Sequence, residues 1–181
     1  MLKFTYPWPR LLSIALTACA LLACTPALDW REVRGANAPF TVMLPAKPAV
    51  QTRQLELAGM QVTMTMTAAV ADEVTFGVAS VQLPNPAGVM PALEAMKNAL
   101  VSNIDGSIRK QTQAPSSYGP GPAFDIEALG KPGPRTGGKP LMLYARFVAR
   151  GQRIYQVAVI GPAQAVTQDT ADMFLSSFKL D

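Results

Sequence analysis

Asp125 and Glu127 stand two residues apart, a spacing that puts both carboxylates on one face of a strand and makes them the pair available for acid/base work. Histidine is absent from all 181 residues. That excludes Ser/His/Asp and Cys/His nucleophiles, HExxH metal sites and His-containing zinc or iron centres. The two cysteines, Cys19 and Cys24, lie near the N-terminus, so CxxC redox chemistry and an internal disulfide are excluded as well. No cofactor and no metal site are expected. Met60, Met64 and Met66 offer soft sulfur of the kind that binds Cu(I), but with no His or Cys beside them they read as core filler.

Two stretches match the letters of known motifs and fail on context. Gly133 to Lys139 (GPRTGGK) has the spacing of a phosphate-binding loop. Pro140 stands where Ser or Thr should ligate Mg²⁺, and the alternating LMLYARFVAR that follows reads as a strand where a helix is required. Ser107-Ile108-Arg109-Lys110 has the S-x-x-K spacing, yet it follows the helix-ending Asp105-Gly106 and no K-T-G partner exists. Asp125 and Glu127 themselves read first as solvated side chains on an exposed strand face.

The charge layout says more. No acidic residue occurs from Ala128 to Gln168, while Lys131, Arg135, Lys139, Arg146, Arg150 and Arg153 all fall there. If Leu143, Ala145, Phe147 and Ala149 point inward, then Tyr144, Arg146 and Arg150 share the opposite face. That face and the loop carrying Lys131, Arg135 and Lys139 form a candidate surface for an envelope protein or an anionic envelope component. Phosphate headgroups, lipopolysaccharide and the carboxylates of cell-wall peptides all qualify. The bland reading is a solvated hairpin. The chain is 49% hydrophobic and 15% charged, with net charge +4 and mean hydropathy +0.18. From Cys24 onward 14 basic residues face 12 acidic ones, too weak an excess to argue for nucleic acid.

The N-terminus gives an address. Lys3 and Arg10 make a short positive region, and Leu11 to Ala23 is a 13-residue apolar stretch of secretory type. It ends in Leu21-Leu22-Ala23-Cys24, which resembles the lipobox of bacterial lipoproteins. The resemblance implies a diacylglycerol thioether on Cys24, cleavage before it and usually a third acyl chain, an anchor far firmer than one chain provides. Leu16-Thr17-Ala18-Cys19 fits the same pattern over a shorter apolar core, so Cys19 is the alternative. An ordinary A-x-A cleavage at Ala18-Cys19-Ala20 and an uncleaved anchor helix are the competing readings, the latter opposed by Pro26. Thr25, standing where Asp would mean retention in the inner membrane, points to the periplasmic face of the outer membrane.

The organisation that follows is a signal over 1–23, a tether over 24–29 and one domain over 30–181. Periodicity predicts strands over Trp30–Val33, Phe40–Leu44, Val50–Leu57, Met60–Thr67 and Val74–Leu83, then a helix over Pro91–Ile104. After a Pro/Gly/Ser loop over Gln113–Pro122 come strands at Ala123–Leu129, Leu141–Ala149 and Arg153–Ile160, and a closing helix at Thr167–Ser177. The class is α+β: an antiparallel sheet of about 6–8 strands flanked by two helices. Ala38 to Pro48 (APFTVMLPAKP) and Gly151 to Leu180 resemble both ends of exported bacterial domains with the PsbP-like α/β/α sandwich. What the resemblance implies is binding or assembly rather than catalysis, and no site residue can be carried over from it. The function expected is a membrane-tethered, non-enzymatic accessory protein. The alternative is a hydrolase or ligand carrier using Asp125 and Glu127 or a pocket beside Tyr118-Gly119-Pro120.

Overall fold

The structure, a computed structural model, describes residues 29–134 and 137–181. The segment expected to be a signal, Cys19, Cys24 and Arg135 lie outside the described residues. Two helices and ten strands are present among those described. A seven-stranded sheet has the order β3-β4-β5-β9-β8-β7-β6 and a small one the order β1-β2-β10, with every pairing antiparallel.

β1 (Arg31–Arg34) and β2 (Phe40–Leu44) form a hairpin that the two-residue β10 (Lys179–Leu180) completes. β3 (Ala49–Leu57) and β4 (Met60–Ala71) are joined by Ala58-Gly59, both at positive φ (50° and 79°), the signature of the hairpin turn whose twist matches its strands. β5 (Val74–Gln82) returns beside β4, and α1 (Val89–Asn103) then crosses one face to reach β6 (Gly106–Gln113) at the far edge. β7 (Ala123–Gly130), β8 (Leu141–Arg150) and β9 (Arg153–Pro162) step back toward the centre, so β9 closes against β5. α2 (Gln168–Ser177) covers the second face.

The alternation in β8 explains the two cores. Leu143, Ala145, Phe147 and Ala149 pack with Leu93 and Met96 of α1. Val148 and the partly buried Met142 and Tyr144 pack on the other side, with Phe174 and Leu175 of α2 and Val42 and Leu44 of β2. Burying a side chain such as Leu93, fully inaccessible here, contributes about 1.5–3 kcal/mol. Val62 and Met64 of β4 sit in the α1 core, so Met64 serves as packing. Gly133 to Lys139 leads into strand β8, and Ser107 to Lys110 lie within β6, so neither stretch opens a helix.

The strand and helix positions expected from periodicity match the architecture, with two omissions. Periodicity assigns no element between the helix and the Gln113–Pro122 loop, where β6 runs. It is an exposed edge strand in which Ile108 is the sole large apolar residue, and a bulge between Ile108 and Lys110 breaks its phase. β10 is too short to register a period at all.

Register also defines two ends of the molecule. At one lie the β4–β5 turn (Asp72-Glu73), the end of α1 and the 131–140 loop, joined by Lys139 to Glu73 at 3.6 Å and by the Lys131 amide to Asp105 O at 3.3 Å. At the other lie the β8–β9 turn (Gly151-Gln152), the β3–β4 turn, the start of α1 and the 119–122 loop.

Candidate functional site

Arg146 sits at the middle of β8, 7% exposed. Its Nε and Nη2 donate to the two oxygens of Asp125 on β7, at 2.7 Å each, in the register where Asp125 faces Arg146. Its Nη1 donates to the Tyr118 hydroxyl at 2.8 Å and to Leu175 O at 2.9 Å. Tyr118 donates in turn to Phe178 O at 3.2 Å. A buried charge needs this density of partners, because leaving water costs several kcal/mol per ion. Burial by itself lowers the basicity of Arg146. The bond and charge of Asp125, with the Tyr118 hydroxyl, reverse that and raise its pKa above the ordinary value. The guanidinium also lies at the C-terminal turn of α2, where the helix dipole favours a cation.

This corrects the basic face. Tyr144, Arg146 and Arg150 do share one side of β8, but that side is the floor under α2 and not an open surface. Arg146 spends its donors inside the molecule. Arg150 is exposed at the β8–β9 end and donates to Asp181 O at 3.1 Å. Lys131 and Lys139 lie at the opposite end, Lys139 beside Glu73. The described residues of that group do not form one face; they divide between two ends and an interior.

The carboxylate pair divides too. Asp125 is bonded through both oxygens to Arg146, whereas Glu127 is half-buried and faces Lys110 of β6 and Tyr144 of β8 in register. Glu127, Tyr144, Lys110 and Asp172 of α2 line a small cleft of about 90 Å³. There the Tyr144 hydroxyl is made less acidic by burial first, then by Glu127 and Asp172, with Arg109 opposing them. Acid/base catalysis by the pair would require Asp125 to abandon a buried ion pair. Among the described residues no group of three or more His, Cys, Asp or Glu is placed to hold a metal ion.

A pocket does lie beside the Tyr118-Gly119-Pro120 loop. Tyr118 itself is buried against Phe178, but Pro120 and Pro122 join Pro86, Val89, Met90 and Gly151 around a groove of about 380 Å³. The loop closes so tightly on β8 that a Cβ at Gly121 would come within 2.4 Å of Ala149 O, and the Ala149 amide donates to Pro122 O at 2.9 Å. Sequence reading counted Arg153 in the basic run but left it out of the candidate face; it pairs with Arg150 in register and donates to Asn37 O at 2.8 Å and Gln82 Oε1 at 3.1 Å. A basic residue directly across a tight turn from Arg150 was the available signal.

No family model and no curated protein matches this chain. Among solved structures, a protein from Bacteroides thetaiotaomicron overlaps with TM-score 0.44 and 10% identity, over 83% of this chain and 48% of the other. The chain thus spans about half the length of that protein. LpqN of Mycobacterium tuberculosis, involved in cell envelope biogenesis, overlaps with TM-score 0.39 and 11% identity, over 84% and 91% of the two chains. A protein of unknown function from Pseudomonas aeruginosa gives TM-score 0.33 and 10% identity, over 75% and 85%. At TM-scores below 0.5 these overlaps carry no argument about function.

Proposed function

We propose that this protein is an exported lipoprotein, cut before Cys24 and lipid-anchored to the periplasmic face of the outer membrane, whose domain is a non-catalytic binding or assembly accessory of the cell envelope. The observation that carries the anchor is Leu21-Leu22-Ala23-Cys24 closing an apolar stretch only five residues before Asp29, where the described chain begins, with no later cysteine to compete. One helix on each face of an antiparallel sheet supports kinship with the PsbP-like sandwich. The non-catalytic reading rests on Asp125 being committed through both carboxylate oxygens to Arg146.

The test is metabolic labelling with a clickable palmitate analogue, with mass measurement of the mature N-terminus, in the natural chain and in Cys24→Ser and Cys19→Ser. Cys24→Ser should lose the label and leave the membrane fraction, and Cys19→Ser should keep both. An unmodified end after Ala20 would defeat the anchor. A second reading, a carrier of apolar ligands, is favoured by the groove at Pro86, Met90, Pro120 and Pro122. It predicts that an apolar fluorescent probe binds saturably and that Met90→Lys abolishes the binding.

A further inference from the structure

The link between anchor and domain restricts how the domain can stand on its membrane. We infer that the end carrying the β4–β5 turn and the 131–140 loop rests on the bilayer that holds the acyl chains, and that the β8–β9 end faces away from it. The inference rests on the lipid-anchor reading above and goes beyond it in naming the surface that meets lipid.

Three observations lead there. First, five virtual bonds join Cys24 to Asp29, a reach of about 18 Å at full extension. Second, the chain enters the domain near one end. The Asp29 amide donates to Pro45 O at 2.8 Å, and the Trp30 ring stands edge-on to Phe76, 5.6 Å between centroids, just inside the β4–β5 turn. β1 then runs away from that end, and the turn after it is held at the other by Arg153 on Asn37 O and the Tyr155 hydroxyl on Pro39 O at 3.3 Å. Third, β4 has twelve residues and is about 40 Å long at ~3.3 Å per residue. A tether less than half that length, attached at one end, cannot run the length of the domain, so the domain cannot stand inverted with its other end on the bilayer.

The surface presented at the near end is of mixed charge. Lys47 and Lys131 are exposed there beside the exposed Asp29, Asp72 and Asp105, Lys139 stands beside Glu73, and Val70 is 64% exposed close to the turn. Arg150 and Arg153, at the opposite end, lie several times farther from the lipid than the Debye length of about 8 Å at physiological salt. In that stance the groups nearest the headgroups are those of the near end, Lys47 and Lys131 among them, and not these arginines. Arg150, Arg153 and the Pro86–Met90 groove stay open to the compartment.

The domain lacks cysteine, so an introduced one is unique once Cys24 carries lipid. Val70→Cys and Lys131→Cys mark the near end; Glu56→Cys and Met90→Cys, both at exposed positions, mark the far end. Each acylated protein, purified from membranes, is labelled with a polarity-sensitive dye and reconstituted into vesicles containing anionic lipid and a headgroup-level quencher. The near-end dyes should shift to the blue and be quenched, and the far-end dyes should do neither. Equal or reversed responses in a sample whose N-terminal mass shows acylation at Cys24 overturn the orientation alone. A mass showing a free N-terminus overturns the anchor and the orientation together. Attachment at Cys19 also overturns it, since ten bonds reach about 36 Å and release the constraint.

Discussion

Against one face of the seven-stranded sheet, α1 lays Ala92, Leu93 and Met96 over Leu143, Ala145 and Phe147. The charge it buries, Lys97, lies at the margin, with Nζ 2.6 Å from Glu94 and over the Phe124 ring. Against the other face, α2 lays Ala171, Phe174 and Leu175 beside a guanidinium that donates four hydrogen bonds. Apolar burial is non-directional, so the first face fixes that α1 packs but specifies its place only through shape. The second face adds bonds of defined length from the sheet to Leu175 O and, through Tyr118, to Phe178 O. The difference teaches that, among the described residues, the most densely bonded charge spends its hydrogen bonds on positioning a helix.

The largest effect should come from Arg146→Met, which leaves the Asp125 carboxylate without its counter-ion. Urea unfolding should show a loss of about 3–5 kcal/mol. Adding Asp125→Leu should recover most of it, because an apolar pair needs no compensating charge. A loss below about 1 kcal/mol for Arg146→Met would mean the network is not what holds α2. On the other face, Leu93→Ala should cost about 2–5 kcal/mol from lost burial and the cavity left behind. Combined with Arg146→Met its effect should add within about 0.5 kcal/mol, since the two residues share no partner. Coupling beyond that would show that the two faces are one cooperative unit.

A smaller change tests the helix ends. Thr167 caps α2, its hydroxyl accepting from the Thr170 amide at 3.2 Å, whereas α1 starts at Gly88 with no side-chain cap. Thr167→Ala should cost about 1 kcal/mol, read from the same unfolding curves. The last prediction concerns slope. Burial first of all makes Tyr155 and Tyr144 less acidic than the ordinary value of 10.0, and both lie on the α2 side while the α1 core holds no tyrosine. A raised folded pKa means stability that is complete below 10.0 and declines as pH climbs above it. Arg146, raised from an already higher value, adds nothing in that window. Urea midpoints measured from pH 8 to 11 should fall above pH 10, and Tyr155→Phe should flatten the fall; an unchanged slope would remove Tyr155 from the account.

The sequence carried most of the architecture because burial imposes period. FTVML and MQVTMTMT alternate, and Leu93, Met96 and Leu100 recur at helical spacing, so β2, β4 and α1 could be placed without coordinates. GSIRKQTQ could not, because an edge strand exposed on both faces is under no demand to alternate. Arg146 had a trace in the sequence. Met142, Tyr144 and Val148 share its side of β8, and both sides of that strand read as apolar. A charge among them in a central strand has to be buried and paired, and Asp125 on the neighbouring strand is the partner within reach. Charge counting along the chain missed this because it treats basic residues near in sequence as near in space.

By itself the sequence determined that this is an antiparallel α+β domain without histidine or internal disulfide, behind an apolar N-terminal stretch that ends in cysteine. Those follow from composition and from local period, which need no knowledge of what packs against what. The tertiary structure decided which charges face water. It turned Arg146 and Asp125 inward to hold α2, set Arg150 and Lys131 at opposite ends, and gave the chain its entry beside the β4–β5 turn. Side-chain accessibility depends on the element laid across a strand, and α2 begins more than twenty residues after Arg146 in the chain it covers.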